Sequence, residues 1–197
     1  MMQEKDYNKI ITTPDPRLRE KAEKVGEITD EIRKMAKRMI SASLDWEKDH
    51  PHEISAAMAA PQMGILKRMI IVRDDMENKD NESFTVLINP EIIRTEGKTE
   101  VDYEGCLSVP NLYGLVPRAA KVKIKAKTID GAEVRIKAED GLARMLQHEI
   151  DHLNGILFID YVVGNKEGFF RLDENGELRP VDYDEVVNDR QVFPDGV

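Results

Sequence analysis

One cysteine in 197 residues, Cys106, leaves this chain without an internal disulfide, and a reduced, cytoplasmic setting is expected. No apolar run approaches the ~18 residues that a membrane-spanning helix needs. The opening Met1-Met2-Gln3-Glu4-Lys5-Asp6 is charged and lacks the apolar segment of a secretory leader. Positive charge is also in deficit, with 29 Lys and Arg against 38 Asp and Glu and a net charge of −9. A general nucleic-acid binder would present a basic face, so no direct nucleic-acid binding and no membrane partner are expected. The remainder is ordinary for a globular protein: 41% apolar residues, 12 glycines and 34% charged residues, the last describing a well-solvated surface.

The length fits a single compact domain. Pro14-Asp15-Pro16 signals a turn near the start. Residues 29–46 read as an amphipathic helix that Thr29 can cap, with Asp30 and Glu31 in its first turn and Ile32, Met35, Ala36, Met39 and Ile40 on one stripe. His50 and His52 flank a proline in the polar break that follows and read as surface residues. The small-residue run Ser55-Ala56-Ala57-Met58-Ala59-Ala60-Pro61-Gln62 reads as an ordered loop, because Pro61 and Gly64 stop a helix. Strands are expected at 69–72, 84–89, 121–127 and 133–138, the last two joined at Asp130-Gly131. A second helix is expected over 140–154, with Asp140 as its cap and Gly155 at its end. Strands that precede a helix, without alternating with it, favour an α+β fold. Residues 164–197 hold nine acids against four bases, and this acidic C-terminal extension is expected to be peripheral to a domain over 1–163.

The informative stretch is Gln147-His148-Glu149-Ile150-Asp151-His152-Leu153-Asn154-Gly155. A separation of four residues on a helix puts His148 and His152 on one face. Two imidazoles so placed can grip one transition metal, and Glu149 can then reach a bound water without being a ligand. The same string also occurs on helices whose residues simply face solvent. A catalytic metal of this kind takes three protein ligands and one open position. The extended protease pattern fails at its third ligand, where this chain has Phe158, and a downstream glutamate would have to be Glu174 or Glu177. Cys106, in Glu104-Gly105-Cys106-Leu107-Ser108, is the better third ligand, set against the ordinary role of a lone cysteine as a small buried hydrophobe. One thiolate and two imidazoles suit Fe²⁺, Zn²⁺, Co²⁺ or Ni²⁺ over Mg²⁺ or Ca²⁺.

Three segments together resemble the signature motifs of peptide deformylases. They are Ser55 to Gln62, Glu104 to Ser108 and Gln147 to Gly155, supported by Thr13 to Arg19 and by Val116-Pro117-Arg118. The resemblance implies antiparallel strands around a central helix that bears the His-Glu-x-x-His motif, with Cys106, His148 and His152 on one divalent metal. The resemblance implies Fe²⁺ as the ion in the cell, with Zn²⁺, Ni²⁺ or Co²⁺ able to replace it. It implies removal of the N-formyl group from formyl-methionyl nascent peptides, with Glu149 as proton carrier and Gln62 and the Leu107 N–H as donors to the oxyanion. Ala57, Met145 and Arg118 would contact the substrate, although Met145 is equally a core residue and Arg118 equally a solvent-facing one. A monomer with transient ribosome association is expected. The first motif departs from the family at Ser55 and Ala57, where glycines are usual, which sets a deformylase-like binding protein beside the enzyme. A zinc metallopeptidase is the third reading, separated by its need for a ligand other than Cys106.

Overall fold

The computed structural model describes residues 10–50, 53–76 and 78–197; residues 1–6 and His52, discussed above, lie outside them. Helix α1, Asp30–Asp49, begins where Thr29 accepts a hydrogen bond from the Ile32 N–H, as its sequence predicts. Its buried face, Ile32, Ala36 and Met39, packs with Met58, Met69, Ile71, Val86 and Ile88. The strands supply those partners: β1 (Ala57–Ala59), β2 (Met69–Arg73), β3 (Phe84–Cys106), β4 (Val109–Thr128), β5 (Glu133–Glu139), β6 (Phe169–Leu172) and β7 (Leu178–Pro180). They form one antiparallel sheet in the order β1-β2-β3-β4-β6-β7, with β5 also paired to β4. The fold is α+β with an antiparallel sheet.

The alternation along β4 divides its residues between two faces. Val116, Arg118, Val122, Ile124 and Ala126 are buried, and Val122, Ile124 and Ala126 meet Ala143, Leu146, Ile150 and Leu153 of helix α2, Asp140–His152, and the turn after it. On the opposite face Lys121, Lys123 and Lys125 pair with Glu139, Glu96 and Glu91. Burial on one side and cross-strand ion pairs on the other fix the register, since a slip of one residue would exchange the faces.

Several expectations need correction. The run after Ser55 is strand β1 followed by a 3₁₀ turn over Ala60–Met63, because β2 offers Ala57, Met58 and Ala59 a pairing edge. Asp140 does not cap α2: the cap position is Glu139, without a side-chain bond, and Asp140 is the first helical residue, at φ +52°. The acidic segment is not peripheral. Phe169, Val186, Val192 and Phe193 are buried in one cluster with Leu18, Val109, Val116 and Phe158, and β6 lengthens the sheet.

Gly155 has φ +75°, and a Cβ there would lie 2.3 Å from the carbonyl oxygen of Arg19. Gly155→Ala should therefore destabilise the fold by at least ~1–2 kcal/mol from the backbone conformation alone, with the clash adding to it. A lowered denaturant midpoint at unchanged slope is the expected result.

Candidate metal centre

Helix α2 presents His148 and His152 one turn apart, with ring centroids 5.0 Å from each other. Cys106 ends β3 just before the turn into β4, so the tip of that hairpin carries the sulfur to the helix. Its Sγ lies 3.2 Å from His152 Nε2 and accepts from the Ser108 N–H at 3.4 Å. One ligand atom from each of Cys106, His148 and His152 falls within 4.8 Å of the others. The spacing brings three donors together, and a sulfur with two imidazoles fits a divalent transition ion.

A buried charge network orients the first histidine. Glu104 accepts from His148 Nδ1 at 2.9 Å, from Arg118 Nε and Nη2 at 3.0 Å each, and from Arg144 Nη1 at 2.9 Å. Arg118 also pairs with Asp151, and Arg144 donates to the Val116 and Glu100 carbonyls. Burial would raise the Glu104 pKa, but His148 and Arg118 outweigh it and hold the carboxylate down at about 2. An ionised carboxylate only accepts, so the proton on His148 Nδ1 is fixed by Glu104, and Nε2 is the nitrogen that would give up its proton to face a cation. Burial also resists protonation of His148, yet Cys106 and Glu104 together keep its pKa well above the usual value, whereas burial and the charge on His148 push His152 well below it.

Glu149 is 5% exposed, and its Oε2 is buried without a hydrogen-bond partner. Burial raises its carboxyl to about 7, with Glu104 adding in the same direction. Gln62 is 2% exposed. Its Oε1 accepts from the Ala59 N–H at 2.8 Å, which turns Nε2 toward Cys106 Sγ at 3.5 Å. Because the backbone N–H can be met only by the amide oxygen, the donor end of Gln62 faces the Cys-His-His group.

Gln62, Glu104, Cys106, His148 and Glu149 line a cavity of about 410 Å³ whose wall also includes Ala57, Leu107 and Met145. Met145 also packs against the core cluster beside α2. Arg118 needs correction: it neither faces solvent nor joins the cavity wall, but is 5% exposed with its guanidinium occupied by Glu104 and Asp151. His50 is not simply a surface residue, since its ring stacks on Trp46 at 3.9 Å and both rings border the cavity. The hydroxyl of Ser55, one of the two departures in the first motif, bonds to Ser43 Oγ at 2.7 Å, and its N–H donates to Glu47 Oε1 at 2.7 Å. Sequence reasoning passes over Glu104, although its place two residues before Cys106 is a usable signal. Tyr113 and Leu172, which also line the cavity, leave no such local mark.

The family model described as Polypeptide deformylase matches residues 7–167. The chain is 46% identical over 156 residues to the peptide deformylase of Thermomicrobium roseum, covering 78% of this chain and 84% of that one. It is 48% identical over 149 residues to the peptide deformylase of Halothermothrix orenii, covering 76% and 89%. Among solved structures, the crystal structure of a peptide deformylase from Synechococcus elongatus in complex with actinonin aligns with a TM-score of 0.70 at 37% identity, over 79% of this chain and 80% of that one.

Proposed function

The chain belongs to the polypeptide deformylase family, and from that premise we propose that Cys106, His148 and His152 hold one divalent metal while Glu149 carries the proton. It is a hydrolase that removes the N-formyl group from the initiator methionine of newly made peptides, releasing formate and a free amine. One observation carries the residue assignment: three donor atoms converge within 4.8 Å beside a buried Glu149 whose Oε2 has no partner.

When bound, a divalent cation supplies Lewis acidity that acidifies water toward neutrality and polarises a carbonyl oxygen. The chain's own residues do the rest. Glu149 takes a proton from the attacking water at Oε2 and passes it to the amine nitrogen as the C–N bond breaks. Gln62 Nε2 and the Leu107 N–H donate to the formyl oxygen as it gains charge. Ala57 and Met145 flank the methionine side chain, and Glu104 keeps His148 in the tautomer a metal needs. We assign the catalytic unit to residues 1–163, with 164–197 as an extension built onto its core. Fe²⁺ is the ion we assign in the cell, Zn²⁺, Ni²⁺ and Co²⁺ being substitutes of matching softness. We further assign a cytoplasmic monomer that meets the ribosome transiently. Among the described residues no helix is long and apolar enough to cross a membrane.

The test is formate release from a formyl-Met peptide by protein prepared without oxygen, with and without chelator. Release that the chelator abolishes, and that Ni²⁺ or Co²⁺ restores, is expected; no release under any metal overturns the reading. Gln62→Ala should lower kcat by about 10²–10³-fold, the usual effect of losing one oxyanion donor. A matching rise in KM at constant kcat would assign Gln62 to substrate binding instead.

A further inference from the structure

Beyond the cleft, the sheet continues as an apolar face. Gly105 pairs with Tyr113, and Tyr113 pairs with Phe170, so these three share one side of the sheet. Tyr103 and Val101 follow on that side at alternate positions of β3, and Leu172 follows on β6. The other side faces α2, where Glu104 and Arg118 reach His148 and Asp151. Val101 is 60% exposed, Tyr103 44% and Leu172 41%, and the Tyr103 ring meets Phe170 edge-on at 5.0 Å. Single exposed apolar residues are normal on any protein, but a contiguous set marks a contact surface. This set shares Tyr113 and Leu172 with the cavity that holds Cys106, His148 and Glu149.

We propose that this face, from Tyr113 and Leu172 out to Tyr103 and Val101, binds the polypeptide downstream of the formyl-methionine and favours apolar side chains there. The inference rests on the deformylase reading and deepens it, because the substrate of that reaction is a chain that continues past its first residue. An extended peptide and a β-strand both advance about 3.3 Å per residue. Val101, five positions before Cys106 along β3, is therefore within reach of roughly the fifth residue after the methionine. Phe170 and Leu172 lie after residue 167, where the family match ends, so part of this wall is built outside the shared portion of the chain.

The experiment compares kcat/KM on formyl-heptapeptides carrying Leu or Phe at positions 3–6 with those carrying Ser or Gly, using a formyl-Met tripeptide as reference. The unaltered protein should prefer the apolar set by about tenfold, the usual scale of discrimination by one apolar contact. Leu172→Ser should bring that ratio close to one, and Val101→Ser should lower it only for peptides apolar at position 6. Equal kcat/KM on both sets, or variants that depress every substrate in proportion, overturns the proposal. Fluorescence anisotropy with N-acetylated heptapeptides gives the same comparison without turnover, and equal Kd values overturn it as well. Absence of formate from the tripeptide would strike the deformylase reading alone, since the Kd comparison still decides whether this face binds peptides.

Discussion

Replacing Glu149 by alanine is expected to lower kcat/KM for deformylation by about 10²–10⁴-fold, with metal content close to one per chain. The prediction separates two roles that the sequence places side by side. His148 and His152 offer imidazole nitrogens toward Cys106, whereas the Glu149 carboxylate is outside that group and has a free oxygen in a buried setting. A side chain that only filled space would alter stability and leave turnover alone. Metal analysis alongside kinetics reads the difference. A variant that keeps more than a tenth of the activity removes Glu149 as proton carrier, and one that loses its metal makes it a ligand. Glu149→Gln, which preserves the shape, should be as inactive as the alanine variant.

Glu104→Ala should damage both stability and metal retention. The carboxylate lies between Arg118, Arg144 and His148, and Glu104 and Arg118 are both nearly inaccessible, with side-chain exposures of 5% and 4%. Removing one partner of a buried pair destabilises by about 3–5 kcal/mol, because the charge left behind has lost both water and its counter-charge. Asp151 still holds Arg118, and backbone carbonyls still hold Arg144, which favours the lower end. For a chain of this size that is a fall in Tm of roughly 10 °C. Freed from Glu104, His148 loses its fixed tautomer, and metal affinity should drop about 10–100-fold. Glu104→Gln can still accept from Nδ1, so it should recover most of the metal affinity and little of the stability. If both variants bind metal as tightly as the parent, the orienting role is wrong.

Chemistry carried by short spacings was legible in the sequence. The histidines four apart on an amphipathic stretch depend only on helix geometry, and α2 forms there. The polypeptide hairpin that delivers Cys106 was much less so. Strands β3 and β4 run through Pro90, Gly97, Pro110 and Pro117, residues that ordinarily interrupt strands. Pro90 and Gly97 fall in irregularities at Ile88/Glu91 and Glu96/Thr99, Pro110 falls in the one at Gly105/Cys106, and Pro117 pairs in regular register with Val101; no local pattern announces these places. The burial of Arg118 depends on Glu104 and Asp151, 14 and 33 residues away, so its neighbours in sequence gave no warning. In residues 164–197 the acids outnumber the bases and mask the spaced Phe169, Val186, Val192 and Phe193 that bury themselves.

That last arrangement bears on how the polypeptide is made. Leu18 and Val109 leave the ribosome early, yet the side chains that cover them include Val186, Val192 and Phe193. Domains generally fold as units while synthesis proceeds from the N-terminus, and contacts this distant in sequence form slowly. Translation halted before residue 169 would release a truncated product with one greasy flank uncovered, suited to capture by chaperones or to clumping.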